Sequence, residues 1–393
     1  MMLIDTIKTK NKRTLVIGDI HGGLKALKQI LEGSDRYITE TPFPEKALEL
    51  MDEVAINKKA NNKLITVDEV NVVLSQKTGI SVSRLTEGEK EKLGNLEEII
   101  SQDLIGQEVA VNLIAKSLRS RVAAIKNEER PVGSFLFLGP TGVGKTQTAK
   151  VLADVYFGSR KSILRFDMAE YIGDDALNRL IGSIEKNQPG IMTTAVKNKP
   201  ASLILLDEIE KASKEVYNLF LTMLDEGYVN DSKGNKVIFR HSFIVATSNA
   251  GSQFIREEVM KGVGGEELQS KVIDYVQKNG IFSPDFLNRF DGVVVFRPLE
   301  EKNLVTVAKL MLKELQNSLL KKNINVFFDD EVAKKVAKDG YSLEFGARPM
   351  RRIVELVLGD VIGKAIVNNE VLPGDKIKLV PKLEKDQYGW EKF

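Results

Sequence analysis

The sequence predicts an α/β fold: a parallel sheet flanked by helices, followed by a smaller, mainly helical C-terminal subdomain with one short strand. Three observations predict it. An apolar stretch, Ser134 to Leu138, feeds Gly139-Pro140-Thr141-Gly142-Val143-Gly144-Lys145-Thr146, and a helix-forming run, Lys145 to Val155, leaves it. Further along, Leu203-Ile204-Leu205-Leu206 ends in two carboxylates, Asp207 and Glu208. Around both, buried-strand candidates at Ile163 to Phe166 and Phe243 to Thr247 alternate with helical stretches, the order of a parallel sheet covered on both faces.

The first stretch is a full G-x-x-x-x-G-K-[ST] phosphate loop in the strand, loop and helix context that the motif needs. Gly139, Gly142 and Gly144 let the backbone turn tightly and aim its N–H groups at phosphate oxygens, at the positive end of the following helix. Pro140, Thr141 and Val143 complete the loop. Lys145 is placed to reach the β- and γ-phosphates as a point charge, and Thr146 to offer its hydroxyl to Mg²⁺, so ATP and Mg²⁺ are the expected ligands. An ordinary Gly-rich turn is the alternative, and the flanking strand and helix argue against it. The second stretch reads as a buried parallel strand whose end opens on a ligand crevice. There Asp207 would hold Mg²⁺ through its water shell and Glu208 would orient or deprotonate the attacking water. An acid pair alone says little, since many helices start with acids. Behind a phosphate loop it points to hydrolysis, because binding alone does not need the second carboxylate.

At 393 residues the chain exceeds one typical core, and two or three compact units are expected. Hydrophobic residues make up 42% and charged residues 28%, an ordinary globular composition. Lys+Arg 57 against Asp+Glu 55 leaves no global bias toward nucleic acid. The absence of cysteine excludes disulfides, a cysteine nucleophile and thiolate metal sites. No apolar run approaches the roughly 20 residues that span a bilayer. Asp5 interrupts the apolar core that a signal peptide wants, so no membrane association and a cytoplasmic location are expected.

From the N-terminus, a basic arm leads to Thr14-Leu15-Val16-Ile17-Gly18-Asp19-Ile20-His21-Gly22-Gly23 and then to the helical period of Leu24, Leu27, Ile30 and Leu31. An amphipathic helix is predicted over Pro44 to Ala55, a loop over Asn57 to Lys63, a short helix from Val67 to Gln76 and an extended connector over Thr78 to Leu85. Residues 86–131 read as largely helical, with Ile105-Gly106-Gln107 ahead of a helix through Val111, Ile114 and Leu118. Beyond Glu300 the pattern is helical over Leu304 to Leu320, Glu331 to Lys338 and Pro349 to Val367, then a strand at Lys376 to Val380 and a charged, frayed tail. The expected divisions are 1–33, 34–85, a large subdomain 86–299, a small subdomain 300–382 and a tail 383–393.

Two resemblances attach to these residues. The strand, G-D-I-H-G loop and helix at the N-terminus resemble the opening of the calcineurin-like metallophosphoesterases, in which the Asp and His matching Asp19 and His21 bind the first metal. A dinuclear site needs further ligands, and the only other histidine is His241, so residues 1–33 are expected to be a truncated remnant or fusion without phosphatase activity. The stretch from Tyr37 to about Val380 resembles the Clp family of AAA+ protein unfoldases, namely the second ATPase module and the end of the first. Pro44 to Ala55 is similar to the closing helix of the first module's small subdomain, and Thr78 to Leu85 to the family's connector. The resemblance implies that Ile105 lies beside the adenine ring, that Asn249 in Thr247-Ser248-Asn249 positions water or γ-phosphate, that Arg289 in Phe286-Leu287-Asn288-Arg289-Phe290-Asp291 is presented to a neighbouring subunit's nucleotide, and that Arg348 in Gly346-Ala347-Arg348-Pro349 senses the bound nucleotide. It also implies a homo-oligomeric ring, a hexamer, acting on unfolded or aggregated proteins, with a Clp-type peptidase as a further partner.

The departures are as specific. The first ATPase core, the N-terminal docking domain and any middle insertion of the family are absent from this sequence. Where the family carries a longer loop with an aromatic G-Y-V-G grip, this chain has Ser183-Ile184-Glu185-Lys186-Asn187-Gln188-Pro189-Gly190-Ile191-Met192, leaving Ile184, Ile191 and Met192 as the candidate apolar contacts. Val263-Gly264-Gly265 is a poor match to the peptidase-docking tripeptide. A nucleic-acid-remodelling AAA+ ATPase shares the core but should carry a basic stripe or a DNA-binding appendage, and none is visible. An inactive scaffold is disfavoured by the presence of Lys145, Asp207, Glu208, Asn249, Arg289 and Arg348. An ATPase that remodels proteins is the leading expectation.

Overall fold

The computed structural model describes residues 5–8, 14–17, 23–38, 41–57, 65–78, 94–122, 129–342, 345–382, 384 and 387–392. They fall into two compact units, Met1–Glu91 with Ala195–Ala201, and Lys92–Thr194 with Ser202–Phe393.

In the first unit, helices Leu24–Tyr37, Glu45–Asn57 and Val67–Thr78 pack on one another. Each carries apolar residues three and four apart: Leu27, Ile30 and Leu31 on the first, Ala47, Leu50 and Val54 on the second, Val70, Val73 and Leu74 on the third. Gly33 has no side chain to hold the first helix away from Leu74. Leu24–Tyr37 runs straight through the division placed at 33, because its apolar stripe is buried by the two later helices. A short antiparallel pair, Asp5–Lys8 with Thr14–Ile17, precedes it. Asp19, His21 and the connector from Gly79 to Leu85 lie outside the described residues.

The second unit is built on five parallel strands in the order Gly292–Val295, Gly133–Leu138, Phe243–Ser248, Leu203–Asp207, Ile163–Asp167. Gly133–Leu138 and Phe243–Ser248 are buried along their whole length, as is Leu203–Asp207 up to Leu206, which is why they read as unbroken apolar runs rather than alternating ones. Helices cover the sheet, and the loops at the carboxyl ends of its strands carry the phosphate loop, the acid pair and Asn249. Gly292–Val295 has no counterpart among the strands expected from sequence. It is four residues long and is registered by Asp291, whose carboxylate accepts the Ser134 N–H at 2.9 Å.

The remainder of this unit follows from Glu301. Helices Glu301–Leu320, Asp330–Gly340, Arg348–Arg352 and Gly359–Val367 enclose a core that includes Leu304, Leu312, Val332, Val336, Met350 and Leu358. One strand and a frayed tail were expected here. The chain instead forms a three-stranded sheet, Asn325–Phe327 and Tyr388–Lys392 on either side of Lys376–Pro381. The correction has a simple cause: Tyr388 and Trp390 alternate within a charged segment and pack on the core opposite Pro381 and Leu379, with Tyr388 only 3% exposed.

Candidate nucleotide site

Strand Gly133–Leu138 delivers the phosphate loop, and Gly144, left-handed at φ 111°, turns it into helix Lys145–Phe157. The loop opens on a cavity of about 1010 Å³ whose lining includes Thr141 to Thr146, Asp207, Glu208, Thr247 and Asn249 and the apolar set Leu104, Ile105, Leu299 and Met311. Gly139 and Pro140 do not line it. Their carbonyl oxygens accept hydrogen bonds from Lys145 Nζ at 2.6 and 2.9 Å, and Asn249 Oδ1 accepts a third at 2.9 Å. The lysine is thus folded back on its own loop, three donors satisfied, in the place a phosphate would compete for it.

Burial pushes the Lys145 ammonium down to about 8, against the pull of Glu210, Asp207 and Glu208 and with a further push from Arg348. From an ordinary value of 10.5 to about 8, the folded chain binds fewer protons than the unfolded one in that window. This group therefore favours folding as pH rises through it. For ligand binding the sign is reversed, because phosphate needs the charged form. The Kd for ATP is expected to rise above pH about 8, by up to about tenfold per pH unit, and Lys145→Arg is expected to flatten the profile. Nucleotide titration from neutral to alkaline pH checks this; a flat wild-type profile contradicts it.

Strand Leu203–Asp207 ends beside the loop. Asp207 accepts a hydrogen bond from the Thr247 hydroxyl and pairs with Arg165 at 2.6 Å. Glu208 sits in the left-handed region at φ 56°, ψ 48°, a conformation that costs a non-glycine residue of order 1 kcal/mol or more and is concentrated at functional sites. This turn aims its carboxylate along the cavity wall, where it pairs with Lys211. Two residues further, Glu210 Oε1 accepts the Asn249 N–H at 3.0 Å, while Oε2 is buried with no hydrogen-bond partner among the described residues. The donor set around Thr146 and Asp207 is hydroxyl and carboxylate oxygen, which fits a hard cation such as Mg²⁺.

The small helical part closes the same cavity. Gly142 and Gly346 meet backbone to backbone: the Ala347 N–H donates to the Gly142 carbonyl at 3.2 Å, and a Cβ on Gly346 would lie 2.5 Å from the Thr141 carbonyl oxygen. Both glycines have positive φ, 75° and 60°, so neither position accepts a larger residue without strain. Arg348, next along, lines the cavity. Gln107 is buried and spans three segments, donating to the Val143 and Arg297 carbonyls at 3.2 and 2.8 Å and accepting the Arg297 N–H at 3.1 Å. Ile105 lines the cavity two residues before it.

Of the residues singled out from sequence, the cavity brings together Ile105, Thr141, Gly142, Val143, Gly144, Lys145, Thr146, Asp207, Glu208, Asn249 and Arg348. Arg289 is not among the residues that line it; it is paired with Asp225 and Asp285. Two contributors have no counterpart in the sequence reading: Arg165 shows itself only as a cation inside an otherwise apolar strand, and Glu210 as a further acid after the pair. Gln107 belongs to the Ile105-Gly106-Gln107 segment that the sequence singles out, but its bridging role is not legible there. The shortened loop is a small hairpin, Gly182–Ser183 paired with Gln188–Pro189. Ile184 and Ile191 are exposed, at 68% and 49%. Met192 is fully buried at the start of helix Ile191–Asn198, which corrects its expected place among the apolar contacts.

A sheet whose carboxyl edge carries both a phosphate loop and an acid pair, with a helical subdomain that brings an arginine to the same cavity, is the architecture of an AAA+ module. Three families match the chain: the AAA domain (Cdc48 subfamily) over residues 130–293, the C-terminal, D2-small domain of ClpB protein over 299–379, and the AAA lid domain over 19–99. Relatives include a chaperone protein ClpB of Oceanobacillus iheyensis, 38% identical over 80% of this chain and 40% of its own length. Another is the ATP-dependent Clp protease ATP-binding subunit ClpE of Bacillus subtilis, 38% identical over 86% of this chain and 51% of its own. The solved S. cerevisiae Hsp104:casein complex in its extended conformation matches with a TM-score of 0.78 at 28% identity, covering 93% of this chain and 64% of that one. The chain carries Clp/ClpB-like AAA+ domains, and it spans 40% to 51% of the length of the two curated relatives named. The lid match takes in Asp19, His21 and helix Leu24–Tyr37, so it assigns this stretch to an AAA lid and lends the phosphoesterase resemblance no support. Among the described residues no helix is long and apolar enough to cross a membrane.

Proposed function

We propose that this chain hydrolyses ATP within a ring of its own copies, a hexamer, and uses the cycle to remodel unfolded or aggregated proteins. The observation that carries the proposal is the split between the cavity and Arg289. Every other candidate catalytic group faces one cavity, while this arginine lies outside it, the arrangement a site completed by a second copy requires. In this reading Lys145 and the loop N–H groups bind the phosphates, Ile105 packs beside the base, Glu208 acts on the attacking water, Asn249 orients water or γ-phosphate, and Arg348 couples the small subdomain to the nucleotide. Thr146 and Asp207 would hold Mg²⁺, which when bound neutralises charge on the β- and γ-phosphates. Helices Leu24–Tyr37, Glu45–Asn57 and Val67–Thr78 form a lid, residues 94–299 the large subdomain and 300–392 the small one.

Support for protein as the substrate comes from the chaperone and Clp names of the relatives and from the casein in the Hsp104 complex. The hairpin and the start of the helix that follows it then become the substrate contact, through Ile184 and Ile191. Each buries less area than an aromatic, so the grip per cycle is weaker and stable domains resist it. Ile184→Ser with Ile191→Ser is expected to abolish stimulation of ATPase activity by an unfolded protein while leaving the unstimulated rate within about twofold, since surface changes of this kind perturb the fold little. Stimulation unchanged in the double variant removes the hairpin from the grip.

A further inference from the structure

We propose that Asp225 restrains Arg289 and that Arg130 makes the restraint breakable, so that the two together set how readily the arginine is handed to a neighbouring copy. The proposal rests on the reading of Arg289 as a residue that acts in trans. Helix Lys214–Glu226 ends at Gly227, left-handed at φ 63°. A side chain there would collide with the Glu129 carbonyl, so glycine lets the segment entering strand Gly133–Leu138 lie against the helix end. That contact puts Arg130 beside Asp225. From the other side, helix Pro284–Asn288 delivers Arg289 at its C-terminus.

The result is one carboxylate between two arginines, Arg130 on Oδ1 and Arg289 on Oδ2, with Asp225 25% exposed and the arginines 35% and 31%. The second terminal nitrogen of Arg289 pairs with Asp285 at 3.0 Å, and its Nε is buried with no hydrogen-bond partner among the described residues. Asp225, by hydrogen bond and charge, holds the guanidinium above its ordinary range. An arginine does not discharge, so its availability is set by which anion holds it. For Arg289 to reach a phosphate on another copy, the Asp225 pair must open. Removing one partner from a partly buried pair strands the other charge. Here Arg130 stays on the second oxygen and keeps Asp225 compensated, while Asp285, 63% exposed, returns to water.

The signs that follow are opposite for the two partners. Asp225→Asn should lower the protein concentration of half-maximal ATPase by about two- to fivefold, the counterpart of one partly buried ion pair. Arg130→Gln should raise it by a similar factor. The double variant should return to the Asp225→Asn value. Light scattering in a non-hydrolysable ATP analogue reads the same order in assembly. A triad that only stabilises the fold gives same-sign losses in both single variants, which overturns the proposal. So does an Asp225→Asn protein whose rate per assembled subunit falls as far as that of Arg289→Ala. If Asp225→Asn does not fold, Arg130→Gln decides: an unchanged or lowered half-maximal concentration overturns the restraint. An Arg289→Ala protein with an undiminished rate overturns the in-trans reading itself, a result distinguishable from failure of the restraint alone.

Discussion

Glu208→Gln is expected to bind ATP with near wild-type affinity and to lose turnover by about 100- to 10,000-fold, the usual worth of a positioned general base. The amide keeps the shape and the left-handed backbone of residue 208, and Asp207 keeps its Thr247 and Arg165 partners. The acceptor for the water's proton is removed, together with a half-exposed ion pair to Lys211 that is worth little. Lys145→Ala should behave differently. It takes away a charge held by three hydrogen bonds against the phosphate loop, and its loss should appear first in Kd. Nucleotide titration and steady-state turnover on both variants separate the two roles. Wild-type turnover in Glu208→Gln would pass the base role to another group, and Glu210, with one buried oxygen unpartnered among the described residues, is the group to test next.

Arg289→Ala is expected to cost about 10³- to 10⁵-fold in turnover per assembled subunit, roughly 4–7 kcal/mol, with ATP affinity little changed. The guanidinium does not line its own chain's cavity, so in the single chain it has no phosphate to stabilise. Mixing makes the test sharp. Turnover-dead Glu208→Gln subunits carry an intact arginine, and Arg289→Ala subunits carry an intact base. A mixture of the two should recover activity that neither shows alone if, as proposed, each active site joins one subunit's acid to its neighbour's arginine. No recovery in mixed assemblies, or full activity in Arg289→Ala, contradicts a site shared between copies.

The parts of this fold legible in the sequence were those with a strong local signature. The strands Leu203–Asp207 and Phe243–Ser248 announce themselves as apolar runs, and the phosphate loop as a fixed spacing of glycines around Lys145. Gly292–Val295 did not, since its pairing with Gly133–Leu138 is set by Asp291 reaching Ser134 across a long separation in sequence. Strand Tyr388–Lys392 was hidden for the converse reason: charged residues dominate its composition, and only the alternation of Tyr388 and Trp390 marks a buried face. Helix Leu24–Tyr37 was itself anticipated, but not that its stripe would be completed by Leu50, Val54, Val70 and Leu74. At the site, spacing points to the phosphate loop and the acid pair, and resemblance to Ile105, Asn249 and Arg348, whereas Arg165, Gln107 and Glu210 work through partners that no spacing encodes. The pairing of Arg289 with Asp225 belongs to the same class.

If hydrolysis belongs to the assembly and serves a protein substrate, as proposed, it must depend on both. The most direct measurement is ATPase rate per subunit against protein concentration, with and without an unfolded protein, alongside light scattering on the same samples. The rate should rise with the fraction of subunits in rings and rise again when unfolded protein is added. A full rate at dilutions where scattering shows only single chains, indifferent to unfolded protein, would contradict it.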